Sequence, residues 1–369
     1  MTSSSSEHRD GVINVAVLKS PDFADWQTRY GNGWQLPYRM DHLEEHGLCL
    51  HWTDALYRPG WPDSRVAAAL RRVESLTAPF AQTALMARSI AAAPVTLAMF
   101  ESEANALAVA RRAWPGHRSS VLAVVTCWLA QILEGCPPAR RAAYRWAYRS
   151  VDRVYFFSRN QGPVLEEELG LGSDQLRYVP FGVDDETFAP KGGADGDYIL
   201  VVGRDSGRDW PTLFAALEGI DLSVKLCCRP RDIAGLRVPA GVDVLGYVDR
   251  NTYRHLLGRA RTVAVVTKPV LYPSGQSVLL EAMAMARAVV VTGTPALADY
   301  IDDGVTALVV PPGDVAALRR RLVEAASDDN LRASIGRAAR QTVQRSFSAR
   351  TMWSTIAADL LDASSHASR

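Results

Sequence analysis

Lysine is nearly absent: of the 41 lysine and arginine residues only Lys19, Lys191, Lys225 and Lys268 are lysines. Contacts to phosphate or carboxylate therefore fall mostly to arginine, which binds through a planar fork. Bulk charge is missing too. A net charge of +1 supplies no field for gathering a polyanion, which weighs against a nucleic-acid partner. The five cysteines, Cys49, Cys127, Cys136, Cys227 and Cys228, are odd in number and form no Cys-x-x-Cys pair, so neither a disulfide framework nor a cysteine zinc site is expected. No stretch approaches the roughly 18 uncharged apolar residues of a membrane span, and the opening "MTSSSSEHRDG" lacks the apolar core of a signal peptide. These absences predict a cytoplasmic protein in a reducing compartment.

What is present is an alternation of strands and helices. With 369 residues, 48% of them hydrophobic, the chain exceeds one compact core and predicts two domains, with a cleft to bind something. In the first half, "VINVAVLKS", "LCLHW", "VTLAMF", "VLAVVTCW" and "RVYFFS" read as buried strands. Between them lie an amphipathic "QLPYRMDHLEEHG" and helices expected over 64–75, 79–92, 103–114 and 139–150. The Gly-rich, polar "APKGGADGD" (Ala189 to Asp197) reads as a linker, after which the alternation restarts with "YILVVG". The fold class expected is α/β, with two doubly wound, Rossmann-like domains.

In such sheets ligands sit beyond the carboxyl ends of the strands, so the loops after strands carry the candidate chemistry. In "VVGRDSGRDWPTL" the strand leaves at Gly203, and Arg204 and Arg208 flank a flexible turn just before a helix. The two guanidiniums either grip a diphosphate or pair with Asp205 and Asp209 on the surface. In "YPSGQSVLLEAMA", Gly275 permits close approach of a ligand, and the free N–H groups near Gln276, Ser277 and Val278 suit an anion. About one turn further in, Glu281 sits on an otherwise apolar face, where an unpaired carboxylate is costly. A ribose offers it two hydroxyl donors; the alternative is an arginine from a neighbouring element, or solvent. Further on, "VTGTPALADYIDDGVTALVVPPGD" reads as a strand, a short helix, a hairpin-like turn and a strand stopped by Pro311 and Pro312, with Asp299 and Asp302 structural.

The second half resembles the donor domain of the retaining GT-B glycosyltransferases of family 4. The resemblance rests on Gly203-Arg204 with Arg208, on Glu281-Ala282-Met283-Ala284, on Asp303-Gly304 and "LVVPPGD", and on "VDRVYFFSRNQ…VPFGVDDETFAP". It implies a GT-B fold with an acceptor domain over 11–188, joined by a C-terminal helix over about 348–363, and a donor domain over 195–347. It implies an enzyme that moves a sugar from a nucleoside diphosphate sugar, with uridine the default base, to a small-molecule or saccharide acceptor with retention at the anomeric carbon. Arg204 and Arg208 would hold the diphosphate and stabilise its departure, Glu281 would bind the ribose, and Arg229 in "CCRPRD" would contact the base. That charge stabilisation needs neither a metal nor a cofactor. One departure stands out: Pro273 occupies the position of the family's first glutamate. It keeps open a non-catalytic sugar-nucleotide-binding protein beside the transferase; a hydrolase or epimerase on the same fold is the other alternative.

The first half is expected to face the acceptor, with Gly31 and Gly33 of "YGNGW" either in a cleft loop or in an ordinary turn, and with His51 at the end of the second strand serving either the cleft or packing. No histidine ends "VTLAMF" or "VLAVVTCW" to match the family's catalytic one, and the leaving phosphate can itself take the acceptor's proton. Residues 139–150, rich in arginine and aromatics, either touch an anionic membrane surface or pack on the first sheet; packing is the expectation.

Overall fold

A computed structural model of the chain describes residues 13–18, 37–52, 93–113, 120–190, 192 and 196–367. The chain divides into two compact units: Met1–Phe157, Gln161–Val179 and Trp353–Arg369 form the first, and Ser158–Asn160 with Pro180–Met352 the second.

The first unit holds a six-stranded sheet of β1 (Ile13–Leu18), β2 (Leu48–Trp52), β3 (Val95–Met99), β4 (Val121–Thr126), β5 (Arg153–Phe156) and β6 (Leu176–Tyr178), in the order β2-β1-β3-β4-β5-β6. Every pairing is parallel. β3 and β4 are buried at every residue, which is why both read as continuous apolar runs rather than alternating ones. Their connections include α1 (Glu101–Ala113), α2 (Leu129–Glu134), α3 (Pro138–Tyr148) and α4 (Gln161–Leu169). The far part of α10 (Ala349–Ala367) is tied to this sheet by one carboxylate: Asp359 accepts from Arg153 at 2.9 Å, Tyr155 at 2.8 Å and Arg177 at 3.1 Å.

Two local expectations need correction. The amphipathic stretch before β2 is a 3₁₀ segment over Pro37–His46, with Tyr38 and Arg39 at φ of 55° and 57°. Periodicity cannot foresee such left-handed residues; the Trp353 indole donating to the Tyr38 carbonyl at 2.6 Å helps to hold them. Helix α1 starts at Glu101 rather than Glu103, because the Glu101 side chain is drawn inward to backbone donors. The helices expected over 64–75 and 79–92 lie outside the described residues.

The second unit repeats the architecture with β7 (Tyr198–Val202), β8 (Ser223–Cys227), β9 (Val242–Val244), β10 (Thr262–Val265), β11 (Val289–Thr292) and β12 (Leu308–Val310). Their order is β12-β11-β10-β7-β8-β9, again parallel throughout. The turn read as hairpin-like, near Asp303-Gly304, leads instead into a strand parallel to β11. Helices α5 (Trp210–Leu217), α6 (Arg250–Arg259), α7 (Gln276–Ala284), α8 (Val315–Ser327) and α9 (Asp329–Ser346) complete the unit. Trp210, Leu213 and Phe214 of α5 and Leu318 and Leu322 of α8 share a core with Leu226 and Val290 of the sheet; each such side chain contributes about 1.5–3 kcal/mol by leaving water. The strand order reverses between β7 and β10, so loops leaving these neighbours diverge and open a crevice at their carboxyl ends.

Candidate functional site

The loop after β7 and the loop after β10 meet at that crevice. Arg208 lies back beneath Gly203, where a Cβ would collide with the arginine's Nε and side-chain carbons; only glycine lets the guanidinium fold under the strand end. The main chain is pinned by Asp209 N–H donating to Val266 at 3.1 Å and Lys268 N–H donating to Gly207 at 2.8 Å. Asp205 holds the arginine from the other side. Its Oδ2 accepts from Arg208 Nε at 3.1 Å, and its Oδ1 accepts from Gly207 N–H at 3.0 Å, Tyr272 hydroxyl at 3.1 Å and Ser274 hydroxyl at 2.6 Å. Burial opposes charge on this carboxyl, but Arg208 and the two hydroxyls outweigh it and keep its pKa below the ordinary value.

Arg208 is 5% exposed. Burial lowers its pKa while Asp205 raises it, and a guanidinium stays protonated under any such shift. Its Nη1 is buried, and among the described residues it has no hydrogen-bond partner. A buried donor on a charged group left unpaired costs more than an ordinary lost hydrogen bond, so this atom is one place where the unit can accept an outside partner. Nη1 lies against Gly275: a Cβ there would come within 2.6 Å of it.

Gly275 is the N-cap of α7, in left-handed conformation at φ 84°, with no side chain capping the helix. Its neighbours in the unit differ. Asp209, Asp249, Asp314 and Asp328 each accept a hydrogen bond from the first-turn N–H groups of α5, α6, α8 and α9. At α7 the Gln276 N–H is met by the Pro273 carbonyl at 3.1 Å, which leaves the N–H groups of Ser277 and Val278 at the uncapped end. Gln276 and Val278 are buried and Ser277 half-buried. Free helix N–H groups, the positive end of the helix dipole and a buried cationic donor thus converge on one spot, a combination suited to an anion.

Glu281 is half-buried on α7. Its Oε2 accepts from the Tyr253 hydroxyl at 2.5 Å, so its direct partner is a tyrosine of α6 and not an arginine. Burial pushes its pKa up to about 7, with the Tyr253 hydroxyl and the Arg250 charge working in the opposite direction. A carboxyl balanced this way gains from any further donor.

The remaining expected residues do not all join this group. Arg204 is exposed, with its guanidinium 5.3 Å from the centroid of the Tyr247 ring. Arg229 pairs with Asp232 at 2.9 Å and donates to the Arg204 carbonyl. The structure therefore brings together Gly203, Arg208, Gly275 and the start of α7, while the Arg204 side chain turns outward. The pairing alternative holds in part: Arg208 does bind Asp205, yet through Nε, and it is buried rather than on the surface. Asp299 accepts from the Arg159 N–H at 2.8 Å, a structural role. His51 lies in β2, and Gly31 and Gly33 lie outside the described residues.

In α3, Tyr148 is buried and donates to Asn105 at 2.8 Å. Arg141 pairs with Glu168 at 3.1 Å, and Arg145 donates to the carbonyls of Glu168 and Glu167 at 2.9 and 2.6 Å. That helix spends much of its aromatic and basic character on α1 and α4. Among the described residues, no helix is long and apolar enough to cross a membrane, and no group of three or more His, Cys, Asp or Glu could hold a metal ion.

Sequence reasoning missed Tyr253, Tyr272 and Ser274. The two that flank Pro273 were within reach, since a hydroxyl on each side of a proline turn faces back toward a preceding loop. Tyr253 lies 28 residues from its partner and left no local signal.

Residues 222–328 match the family model described as "Glycosyl transferases group 1". HepE of Anabaena, solved in complex with UDP and glucose, is 16% identical, with a TM-score of 0.69 over 95% of this chain and 100% of that one. Sucrose-phosphate synthase of Thermosynechococcus elongatus is 17% identical, with a TM-score of 0.69 over 96% and 98%. TarM of S. aureus is 13% identical, with a TM-score of 0.57 over 80% of this chain and 58% of that one. No curated protein matches the sequence. The fold is the GT-B fold of two parallel six-stranded sheets.

Proposed function

We propose that the chain is a retaining group 1 glycosyltransferase that moves a sugar from a UDP-linked donor to a small-molecule or saccharide acceptor with retention of anomeric configuration, a reading supported by the family match over residues 222–328 and by the GT-B fold. One observation carries this reading: the buried, unpartnered Nη1 of Arg208 lies against the uncapped start of α7. The donor diphosphate occupies that spot, accepting from Arg208 Nη1 and from the N–H groups of Ser277 and Val278. The ribose hydroxyls donate to Glu281. Arg204, exposed and supported on Tyr247, swings onto the outer phosphate oxygens, and Arg229 lines the base side.

In the reaction the bond between the anomeric carbon and the β-phosphate oxygen breaks, and negative charge collects on the departing diphosphate. Preorganised donors that already point there stabilise the charge without reorganising. The acceptor oxygen bonds to the anomeric carbon on the same face, and its proton passes to the leaving phosphate oxygen, so no side chain is required as base.

Pro273, in place of the family's first glutamate, favours a second reading in which the site binds the nucleotide sugar without turnover. Incubation with radiolabelled UDP-glucose and other UDP-sugars, with a panel of saccharide acceptors, separates the two. Release of UDP with an α-linked product read by proton NMR supports the transferase. Tight UDP binding with neither transfer nor hydrolysis supports the binding protein, and absence of UDP binding overturns both.

A further inference from the structure

Glu281 is a flexible side chain with a precise task, and a free glutamate loses rotamer entropy when a ligand fixes it. The second unit supplies the means to fix it beforehand. Phe188 is buried at 1% exposure; its ring lies 6.1 Å from that of Tyr253 at an interplanar angle of 60°. The Arg250 guanidinium lies 5.5 Å from the Phe188 ring. The Tyr253 ring is thereby held from a packed neighbour, and its hydroxyl meets Glu281 Oε2 at 2.5 Å. We infer that Tyr253 is a positioning residue for nucleoside recognition, whose hydroxyl holds the Glu281 carboxylate oriented to accept both hydroxyls of a ribose and so sets a preference for ribonucleoside over deoxyribonucleoside diphosphates.

This rests on the reading that Glu281 binds the ribose, and the chemistry follows from it. A phenol hydroxyl donating to Oε2 leaves Oε1 and the second lone pair of Oε2 for a diol, and an ionised carboxylate accepts these two donations better than a protonated one, whose own O–H takes up acceptor capacity. The charged and titratable groups facing this carboxyl are Tyr253 and Arg250 of α6 and Asp184 from the segment before Phe188. The first two favour the ionised form and Asp184 opposes it. Removing the phenol oxygen leaves the ring packing intact but frees the carboxylate to rotate and to take up a proton.

The test is calorimetric titration of UDP, 2′-deoxyuridine diphosphate, 3′-deoxyuridine diphosphate and inorganic pyrophosphate into the wild type, Tyr253→Phe and Glu281→Ala. The wild type is expected to bind UDP about tenfold or more tightly than either deoxy analogue, the size of a hydrogen bond to a charged group. Tyr253→Phe should compress that ratio to about threefold or less while leaving pyrophosphate affinity unchanged, a pattern that a merely structural role would not give. If Glu281→Ala abolishes the discrimination and Tyr253→Phe keeps it in full, the inference about Tyr253 fails alone. If Glu281→Ala keeps it as well, the ribose reading fails and takes the inference with it. Should Tyr253→Phe melt early, the same titrations run well below its transition temperature read the same ratios.

Discussion

The two units treat the same structural problem in opposite ways. In the first, the turn from β4 into α2 presents the N–H groups of Cys127, Trp128 and Leu129, and all three donate to one oxygen of Glu101, at 2.8, 2.6 and 2.9 Å. The Thr126 hydroxyl donates to it as well. Glu101 is 6% exposed, so this strand end carries its own resident anion. In the second, the turn from β10 into α7 has no capping side chain among the described residues and adds a buried guanidinium whose Nη1 has no partner among them. Parallel sheets create unsatisfied N–H groups wherever a strand feeds a helix. One unit fills the position from within; in the other, the described residues leave it open, and the proposed function gives it to the donor diphosphate.

Removing the charged group from each turn should affect binding in one unit and stability in the other. The largest effect is expected from Arg208→Met, which keeps the bulk but removes the donor and charge: UDP affinity should fall by about 100-fold, or roughly 3 kcal/mol, by calorimetry. Next comes Glu101→Ala, which strips the shared acceptor from a buried cluster of donors; it should lower the urea-unfolding free energy by about 2–3 kcal/mol. An Arg208→Met protein with unchanged UDP affinity, or a Glu101→Ala protein with unchanged stability, would dissolve the distinction.

A smaller effect sharpens it through pH. With burial pushing Glu281 to about 7, the unliganded carboxyl is largely protonated at pH 6 and ionised at pH 8. Ribose hydroxyls bind the ionised form, so affinity for UDP-glucose, whose diphosphate does not titrate in this range, should rise by about tenfold from pH 6 to pH 8. Glu281→Gln should flatten that profile. The stability of the unliganded protein runs the other way. A carboxyl whose folded pKa stands above its unfolded one binds more protons when folded, so its contribution is lost as pH rises from the ordinary 4.5 to about 7. A flat wild-type binding profile would place Glu281 away from the nucleoside.

The sheets were legible because strands buried on both faces must be apolar throughout; "VTLAM" and "VLAVVT" could hardly be anything else. Glu281 was legible for the complementary reason, as one carboxylate among Val278, Leu279, Leu280, Ala282 and Met283 needs a donor to explain it. Where each guanidinium points was not legible. Arg204 and Arg208 look equivalent in the string, and only Gly203, which lets Arg208 fold inward, separates them. Glu101 escaped notice because it precedes Ser102 and Glu103 and so resembles a solvated helix start. Tyr253 escaped because its partner is distant in sequence and its own helix is an ordinary amphipathic one.

If α7 begins at an anion site completed by Arg208, a crystal structure of the protein with UDP bound should show the β-phosphate within hydrogen-bond distance of Arg208 Nη1 and of the Ser277 and Val278 N–H groups, with ribose oxygens on Glu281. UDP seated elsewhere, with Arg208 Nη1 still unpartnered, would contradict it.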